Sequence, residues 1–179
     1  MKANNIHSFD EVISFECESF NDPRGFFYEA FNLKTFAKNI SEQVNFVQDN
    51  VSFSKKGVVR GLHFQKKPYE QSKLVSVIHG EIFDVAVDIR TNSPSFGKYC
   101  SYIINDKKRN FLWIPAGFAH GFQVLSDHAT VIYKVDNFYN QDNEVSIKYD
   151  DPIINIQWPL DMKILSDKDN SGLFLRNLR

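Results

Sequence analysis

Turn residues interrupt this chain at intervals of roughly 8–12 residues, and this spacing constrains the fold more than any other feature of the sequence. Clear examples are SKKG at 54–57, TNSPSFGK at 91–98 and NDKKRN at 105–110. Between the turns lie stretches rich in β-branched and aromatic residues, at 12–16, 25–31, 45–54, 58–64, 73–80, 81–89, 99–104, 111–115, 121–125 and 130–138. Short strands at this spacing are typical of a sandwich or barrel, so the sequence predicts an all-β fold.

Helical patterns are confined to two short segments. LKTFAKNI at 33–40 spaces its apolar residues like one face of a helix, and Asn32 before it is a suitable N-cap. A turn or short helix is also predicted to start at Ser166. The 179 residues contain no internal repeat or low-complexity tract, and this length suits one domain. Residues 1–179 are therefore predicted to form a single domain with short peripheral helices.

Charge and cysteine content argue against several classes of protein. The formal net charge of −1 gives no overall field that would attract nucleic acid or an acidic membrane. Cys17 and Cys100 are too few for a disulfide scaffold, and no stretch is long and apolar enough to span a membrane. The N-terminal residues lack the apolar core of a signal peptide. We therefore expect a cytoplasmic protein without a nucleic-acid or membrane partner.

The stretch EIFDVAVDI at 81–89 presents two different faces if it forms a strand. The uniformly apolar face, expected in the core, consists of Phe83, Val85, Val87 and Ile89. The other face consists of Ile82, Asp84, Ala86 and Asp88. Because this second face carries two acids, we expect it to meet water or a wet cavity. A β-barrel with a polar lumen would produce such a pattern.

The stretch GVVRGLHFQ at 57–65 places a cation and an imidazole three residues apart. Strict alternation along a strand would put Arg60 and His63 on opposite faces. A bulge at Gly61 would bring them to one face, since glycine permits such a kink. The residue types alone leave open a second interpretation, a hydrogen-bonded core histidine beside an arginine that extends to the surface.

A second histidine motif, WIPAGFAHGF at 113–122, places His120 just after a Pro-x-Gly turn. Pro-x-Gly-x-x-His is the second half of the metal motif of the cupins, which are small double-stranded β-barrels. His63 and Glu70 fit the first half, but Gln65 stands where the second metal-binding histidine should be. Because glutamine is a poor ligand for soft metals, we predict no metal, and a weaker site of His63, Glu70 and His120 stays an alternative.

Two further segments contain candidate residues. Tyr133 and Tyr139 in VIYKVDNFYN at 131–140 would share a strand face if the strand continues through both. Taken alone, they are equally consistent with core or interface packing. Asp169 follows Lys168 in a segment whose composition is that of a solvated surface loop.

Taken together, these segments resemble the dTDP-4-dehydrorhamnose 3,5-epimerase family along nearly the whole chain. The matching stretches are DPRGFFYEAFN (22–32), FVQDNVSFSKKGVVRGLHFQ (46–65), KLVSVIHGEIFDVAVDIRTNSPSFGKY (73–99), LWIPAGFAHGFQVLS (112–126), YKVDNFYN (133–140), WP (158–159) and LSDKD (165–169). The resemblance implies a cupin-type jelly roll, a homodimer, and catalysis without a metal or other cofactor.

The family inverts C3 and C5 of dTDP-4-dehydro-6-deoxy-D-glucose on the route to dTDP-L-rhamnose. Both carbons flank the C4 ketone, so each proton is acidified through an enolate, and inversion needs a base on one face and an acid on the other. By resemblance, His63 matches the base, Asp169 the acid that partners it, and Tyr133 the proton donor on the opposite face. We expect Lys73 to lie near the C4 oxygen, where its charge would stabilise the enolate.

The same resemblance assigns residues to substrate binding. A diphosphate favours Arg and Lys, and the family's cationic binding positions correspond to Arg24, Arg60 and Lys168. Further substrate contacts correspond to Glu29, Gln48, Asn50, His120 and Glu144. Tyr139 matches the aromatic residue that stacks on the thymine ring. In the family part of this set comes from the partner subunit, so dimerisation would be functional.

Three other functions stay open on the sequence alone. Relatives with this fold invert only one carbon, or move the ketone, and they share the nucleotide site. A metal-dependent cupin would use His63, Glu70 and His120. A non-catalytic nucleotide-sugar binding module would bind ligand without exchanging protons with solvent.

Overall fold

The computed structural model describes residues 2–6, 9–40 and 43–178, and within them the chain forms thirteen strands, two α-helices and two 3-10 turns. The strands are β1 (Lys2–Ile6), β2 (Phe9–Glu16), β3 (Ser19–Asp22), β4 (Gly25–Tyr28), β5 (Gln48–Lys55), β6 (Val59–Gln65), β7 (Lys73–His79), β8 (Glu81–Asp88), β9 (Tyr99–Asn105), β10 (Asn110–Ile114), β11 (Phe118–Val124), β12 (His128–Val135) and β13 (Glu144–Ser146). The helices are α1 (Leu33–Ala37) and α2 (Asp167–Asn170), and the 3-10 turns span Gln141–Asn143 and Leu175–Leu178.

Two sheets form the body of the fold. One has six strands in the order β1-β2-β10-β7-β12-β5, and the other has five in the order β13-β6-β11-β8-β9. β3 and β4 form a separate hairpin. The strands of both sheets and the hairpin pair antiparallel, and most neighbours are not consecutive in the chain. Two facing antiparallel sheets with such crossed connections are a jelly roll, so the predicted all-β, cupin-type fold with short peripheral helices is confirmed.

The largest apolar core lies between the two sheets. Val75 and Val131 of the six-stranded sheet pack there against Ile82, Ala86 and Phe122 of the five-stranded sheet. A second cluster covers the outer face of the five-stranded sheet, and its members include Leu62, Val85, Val87, Ile154 and Leu175. A third, aromatic cluster joins α1 to the outer face of the six-stranded sheet through Phe15, Phe36 and Trp113. Among the described residues, no helix is long and apolar enough to cross a bilayer.

The alternation predicted for β8 is present, but the environment predicted for one of its faces is wrong. Asp84 and Asp88 are fully buried, although their face was expected to meet water or a wet cavity. Each carboxylate has a partner: Asp84 Oδ2 lies 2.9 Å from His120 Nε2, and Asp88 Oδ1 accepts a hydrogen bond from Arg90 Nε at 3.0 Å. Buried charged groups are tolerated when they are paired in this way, and residue pattern alone does not show the partners.

Most element boundaries agree with the sequence pattern, and some differ. Asn32 caps α1, since its side chain accepts a hydrogen bond from Thr35 N, and Ser166 caps α2 in the same manner through Asp169 N. The stretch at 25–31 is a strand only over Gly25–Tyr28, and the strand predicted at 121–125 already begins at Phe118. β12 ends at Val135, so the strand does not continue to Tyr139.

Of the two arrangements that the sequence left open at Gly61, the structure has the bulge. In the pairing of β6 with β11, His63 lies opposite His120 and Arg60 lies opposite Phe122, so β6 carries one extra residue. Gly61 has a φ of +115°, a conformation that favours glycine.

As a result of the bulge, Arg60 and His63 both face the six-stranded sheet. Arg60 Nε donates a hydrogen bond to Ser54 Oγ of β5 at 2.9 Å, whereas Leu62 packs in the cluster on the opposite face. The local irregularity therefore places the cation and the imidazole on the same side of the strand.

Replacing Gly61 with alanine is expected to be strongly destabilising. A Cβ atom there would lie 2.6 Å from both Gly121 Cα and His120 O, which are backbone atoms of the neighbouring strand. Gly25 also has a positive φ, of +131°, but a Cβ atom there would meet nothing within 4 Å. We expect Gly61→Ala to lower the free energy of unfolding by about 3 kcal/mol or more, and Gly25→Ala by about 1 kcal/mol. Urea denaturation of both variants tests this; equal losses would contradict the role assigned to the interstrand contact.

Candidate active site

A cavity of about 250 Å³ opens between the two sheets. Its walls come from β6 and β13 on one side and from β5, β7 and β12 on the other, with Tyr139 contributed by the segment that follows β12. The residues that line it are Gln48, Asn50, His63, Phe64, Gln65, Gln71, Lys73, Tyr133, Tyr139 and Glu144. The structure thus brings together seven of the predicted site residues: Gln48, Asn50, His63, Lys73, Tyr133, Tyr139 and Glu144.

His63 is paired with a carboxylate that lies 106 residues away in the sequence. Its Nε2 atom is 2.5 Å from Asp169 Oδ1. Ser166, the N-cap of α2, donates from Oγ to the other carboxylate oxygen of Asp169 at 2.9 Å. Asp169 is buried, not solvated, so its surface-loop interpretation is wrong. Burial alone would raise the pKa of Asp169, but the contacts with His63 and Ser166 outweigh it and hold that pKa below the usual range.

Lys73 lies in the cavity wall and is almost fully buried. Its ammonium group makes a long hydrogen bond of 3.4 Å to the His63 carbonyl oxygen. Burial lowers the pKa of Lys73 to about 8, against the opposing charges of Asp84 and Glu144. A lysine with this pKa changes its charge near neutral pH, which is uncommon outside functional sites.

Tyr133 lies on the six-stranded sheet, on the wall opposite His63. Burial raises its pKa, although the nearby positive charge of Arg60 acts in the other direction. The phenol therefore holds its proton through the neutral pH range. A protonated phenol on one wall and an imidazole on the other can deliver and remove protons on two faces of a bound molecule.

His120 lies behind the cavity lining, not in it. It is buried, its Nε2 contacts Asp84 Oδ2 at 2.9 Å, and its ring centroid lies 6.5 Å from that of Tyr133. Burial lowers the pKa of His120, and burial also raises the pKa of Asp84. The second oxygen of Asp84, Oδ1, is buried without a hydrogen-bond partner. His120 therefore supports the wall that carries Tyr133.

Three polar side chains that contact one another in sequence, Tyr139, Glu144 and Lys168, lie at the mouth of the cavity. Tyr139 Oη donates to Glu144 Oε2 at 2.8 Å, and Lys168 Nζ forms an ion pair with Glu144 Oε1. Burial would raise the pKa of Glu144, but Lys168 and Tyr139 together lower it, so the carboxylate stays charged. Tyr139 is 53% exposed, so its aromatic ring is accessible to a ligand.

Two predicted binding residues lie away from this cavity. Arg24, in the turn between β3 and β4, is exposed and forms an ion pair with Asp22 at 2.6 Å. Glu29, just after β4, is exposed and accepts a hydrogen bond from Asn32. Arg60 also does not line the cavity, although it is near enough for its positive charge to act on the pKa of Tyr133. Within this chain, Arg24 and Glu29 are therefore not joined to the other site residues.

Sequence reasoning did not assign a site role to several residues that the structure places here. Gln65, Phe64 and Gln71 line the cavity, and Asp84 supports His120. In the sequence, Gln65 differs from its surroundings only as a departure from the cupin metal motif. The two acids in the β8 alternation pointed to Asp84, but the pattern did not show that it pairs with His120.

The alternative metal site is not assembled in the part of the chain that the structure describes. No group of three His, Cys, Asp or Glu side chains there has the geometry to hold a metal ion. The Nε2 atoms of His63 and His120 each face a carboxylate, Asp169 and Asp84 respectively. Elemental analysis of the purified protein is the direct test of this alternative.

A His–Asp pair opposite a tyrosine in the lumen of a cupin-type jelly roll supplies the groups that an acid–base enzyme needs to invert a carbon centre. A profile of the dTDP-4-dehydrorhamnose 3,5-epimerase family matches residues 7–177. The chain belongs to this family, and the family and epimerase activity predicted from the sequence are confirmed.

Individual relatives agree with this membership. The chain is 52% identical over 162 residues to the dTDP-4-dehydrorhamnose 3,5-epimerase of Shigella flexneri, with 90% of each chain covered. It is 46% identical over 173 residues to the enzyme of the same name from Pseudomonas aeruginosa, covering 96% of this chain and 94% of the relative. The crystal structure of the dTDP-6-deoxy-D-glucose-3,5-epimerase from Legionella pneumophila, in complex with dTDP-4-keto-L-rhamnose, superposes with a TM-score of 0.94 at 45% identity, covering 98% of this chain and 93% of that one.

Proposed function

We propose that this protein inverts C3 and C5 of dTDP-4-dehydro-6-deoxy-D-glucose, giving dTDP-4-dehydro-L-rhamnose for dTDP-L-rhamnose biosynthesis. The observation that carries the proposal is the arrangement of the cavity. The His63–Asp169 pair and Tyr133 lie on opposite walls, and the buried cation of Lys73 lies in the same space. Inversion next to a ketone requires a base, an acid on the other face and a positive charge for the oxygen, and each has a candidate here.

The His63–Asp169 contact indicates which nitrogen acts as the base. Asp169 accepts the Nε2–H of the imidazole, so Nδ1 carries the lone pair and takes the proton from C5 or C3. The carboxylate then stabilises the imidazolium that forms and holds the ring in one orientation.

The electrons released from the C–H bond move to the C4 oxygen as an enolate. The Lys73 ammonium stabilises this negative charge in a buried setting, where electrostatic interactions are strong. Tyr133 then donates its phenolic proton to the same carbon from the opposite side, which inverts the centre. The imidazolium loses its proton and the phenolate regains one by exchange with solvent, which restores both groups for the second carbon.

The nucleotide is assigned to the mouth of the cavity. The exposed ring of Tyr139 offers a stacking surface for thymine, and Arg60 and Lys168 supply positive charge for the diphosphate. Gln48, Asn50 and Glu144 supply hydrogen-bonding groups along the lining, and Gln48 Nε2 already donates to Asn50 Oδ1 at 2.8 Å.

We further propose that the active form is a homodimer. Large apolar side chains are exposed on the β3–β4 hairpin and on the edge strand β5: Phe26 is 60%, Phe27 70% and Val51 67% exposed. Burying this surface against a second copy would remove it from water. It would also explain why Arg24 and Glu29, beside the hairpin, lie outside the cavity of their own chain, since they would reach the cavity of the partner.

Val51→Glu is expected to weaken the dimer, because it places a charge on the exposed face of β5. Ile153→Glu is the matched control, since Ile153 is 58% exposed and lies outside β5 and the hairpin. Sedimentation at a series of concentrations would measure the shift. We expect at least about a tenfold rise in the dimer dissociation constant for Val51→Glu alone, equivalent to roughly 1.4 kcal/mol. A monomeric wild-type protein with full activity would contradict the proposal.

The activity is expected to fall as the pH rises through about 8, because the pKa of Lys73 is lowered to that value by burial and the ammonium is neutral above it. The charged groups near Lys73 are Asp84, Glu144 and Lys168. Lys73→Arg should have lower activity but should retain it to higher pH, because a guanidinium stays protonated. Rates of the two proteins from pH 6 to pH 10 test this, and identical alkaline limbs would refute the role of the lysine charge.

Proton NMR of dTDP-4-dehydro-6-deoxy-D-glucose with the purified protein in D₂O tests the function itself. We expect loss of both the C3 and C5 proton signals, followed by dTDP-L-rhamnose when a 4-ketoreductase and NADPH are added. Loss of one signal only would make the protein a mono-epimerase. Binding without exchange would support a binding module and overturn the epimerase assignment.

A further inference from the structure

The side chain of Gln65 is hydrogen-bonded to the segment that carries Tyr139 and to the loop after β6. Gln65 Nε2 donates to Tyr69 O at 2.6 Å and to Phe138 O at 3.2 Å, and Gln65 Oε1 accepts from Asn140 N at 2.6 Å. Gln65 is only 6% exposed. Only this amide orientation is possible, because the reverse would place its oxygen against two carbonyl oxygens.

Two of these contacts are to the peptide groups on either side of Tyr139. The carbonyl of Phe138 and the N–H of Asn140 are both held by the one side chain. β12 ends at Val135, and within the described part of the chain the segment after it pairs with no strand that would satisfy its backbone groups. Tyr139 Oη is fixed separately by Glu144 Oε2, which is part of β13.

Neighbouring amides reinforce the same connection. Gln71 Nε2 donates to Asn137 O at 2.8 Å, and Asn137 Nδ2 donates to Pro68 O at 3.1 Å. Side-chain amides therefore join the loop after β6 to the loop after β12. Gln65 is central to this set, because it holds both peptide groups next to Tyr139 and also belongs to the strand that carries His63.

We propose that Gln65 is a positioning residue for nucleotide recognition, which holds the Tyr139 ring where thymine stacks on it. This rests on the proposed function, in which Tyr139 contacts the base. It gives a physical role to a position where the cupin metal motif has a histidine: the side chain there binds a loop. A fixed ring binds a base more tightly, because less conformational entropy is lost on stacking.

The test replaces Gln65 with methionine, which keeps the length of the side chain, removes all three hydrogen bonds and adds no charge. We expect the Kd for dTDP, measured by calorimetry, and the KM for the dTDP-sugar each to rise about tenfold, with a smaller fall in kcat, because stacking on an aromatic ring contributes that much or more per base. A fall in kcat with Kd and KM unchanged would overturn the proposal.

Gln123 provides a matched control. It is buried, its Nε2 donates to Leu160 O and Met162 O at 3.1 and 3.2 Å, and its Oε1 accepts from Leu160 N at 3.0 Å. This is the same three-bond arrangement on a segment that does not line the cavity. Gln123→Met should lower thermal stability to a similar extent as Gln65→Met, but should leave the Kd for dTDP unchanged. Equal effects of both variants on the Kd would show a general loss of stability and overturn the proposal.

A double-mutant cycle with Tyr139→Ala tests whether Gln65 changes the Kd for dTDP through the ring of Tyr139. If Gln65 acts through the ring of Tyr139, Gln65→Met should change the Kd for dTDP by less than about twofold in the Tyr139→Ala background, because interacting residues are not additive. The full tenfold change in that background would overturn the proposal. Wild-type protein that binds no dTDP would instead overturn the proposed function, and this inference with it.

Hydrogen exchange keeps the proposal testable if Gln65→Met does not fold. The Asn140 N–H donates to Gln65 Oε1, so its exchange rate reports the opening of this contact. We expect protection in the wild-type protein similar to that of amides in β12, and further protection with dTDP bound. Exchange at the rate of an open loop would overturn the proposal.

Discussion

Replacing His63 with alanine is expected to abolish deuterium incorporation at both C3 and C5, with a loss of roughly 10²–10⁴-fold in each rate. Among the residues that the structure describes, one imidazole lines the cavity, with a carboxylate behind it, so we expect the same base to serve both carbons. His79→Ala is the control, since that side chain is 59% exposed at the far end of β7 and does not line the cavity. Time-resolved NMR in D₂O gives both rates. Retained exchange at one carbon would reveal a second base.

Asp169→Asn tests the carboxylate that holds His63 in its active tautomer. An amide nitrogen in place of the carboxylate oxygen donates to Nε2, so the imidazole would carry its proton on Nδ1 and could not act as the base there. We expect a loss of at least about 10²-fold in exchange at both carbons. The Kd for dTDP should change little, because the contact is with the base and not with the nucleotide. Loss of dTDP binding in parallel would indicate that α2 had moved.

Tyr133→Phe is expected to impair product formation more than initial proton removal. The substitution deletes only the hydroxyl group, so His63 can still form the enolate, but no acid on the opposite wall can deliver a proton to invert the carbon. We expect product formation to fall by roughly 10²-fold or more. Deuterium that returns from the His63 side should appear in substrate of unchanged configuration. The ratio of labelled substrate to product, measured by NMR and mass spectrometry, is the readout.

Tyr102→Phe is the matched control for this prediction. Tyr102 is also a partly buried tyrosine beside the core between the sheets, but it lies on β9 and does not line the cavity. It should leave both rates unchanged. An equal loss of proton removal and product formation in Tyr133→Phe would contradict the assignment of Tyr133 as the proton donor.

The burial of Asp84 and Asp88 shows where pattern-based reasoning is limited. Alternation identified which residues of β8 share a face, because side-chain direction along a strand has a period of two. It assigned the acidic face to water, since unpaired carboxylates are rarely buried. The partners that permit burial, His120 and Arg90, lie on β11 and just after β8, and a period of two does not reveal them.

In the candidate site, too, the sequence indicated some features and not others. The family resemblance identified His63, Tyr133 and Asp169 as candidates. In the structure, His63 and Tyr133 line the cavity and Asp169 contacts His63 from behind. It did not indicate the contacts of Gln65, because a glutamine within a strand resembles any polar residue until the loop opposite it is known. The sequence also did not show that Arg24 lies away from the cavity of its own chain. That separation depends on where the β3–β4 hairpin lies relative to the two large sheets.

The sequence by itself indicated much of the local structure: short strands between turns, a cap at Asn32, a short helix from Ser166, and a glycine at position 61 that permits a bulge. These depend on neighbouring residues, on side-chain periodicity and on the conformational freedom of glycine. Only the tertiary structure decided other contacts between distant groups, such as Asp84 with His120 and Gln65 with the backbone of Asn140. The physical reason is that such contacts follow from strand order and loop closure, which depend on the packing of the whole chain.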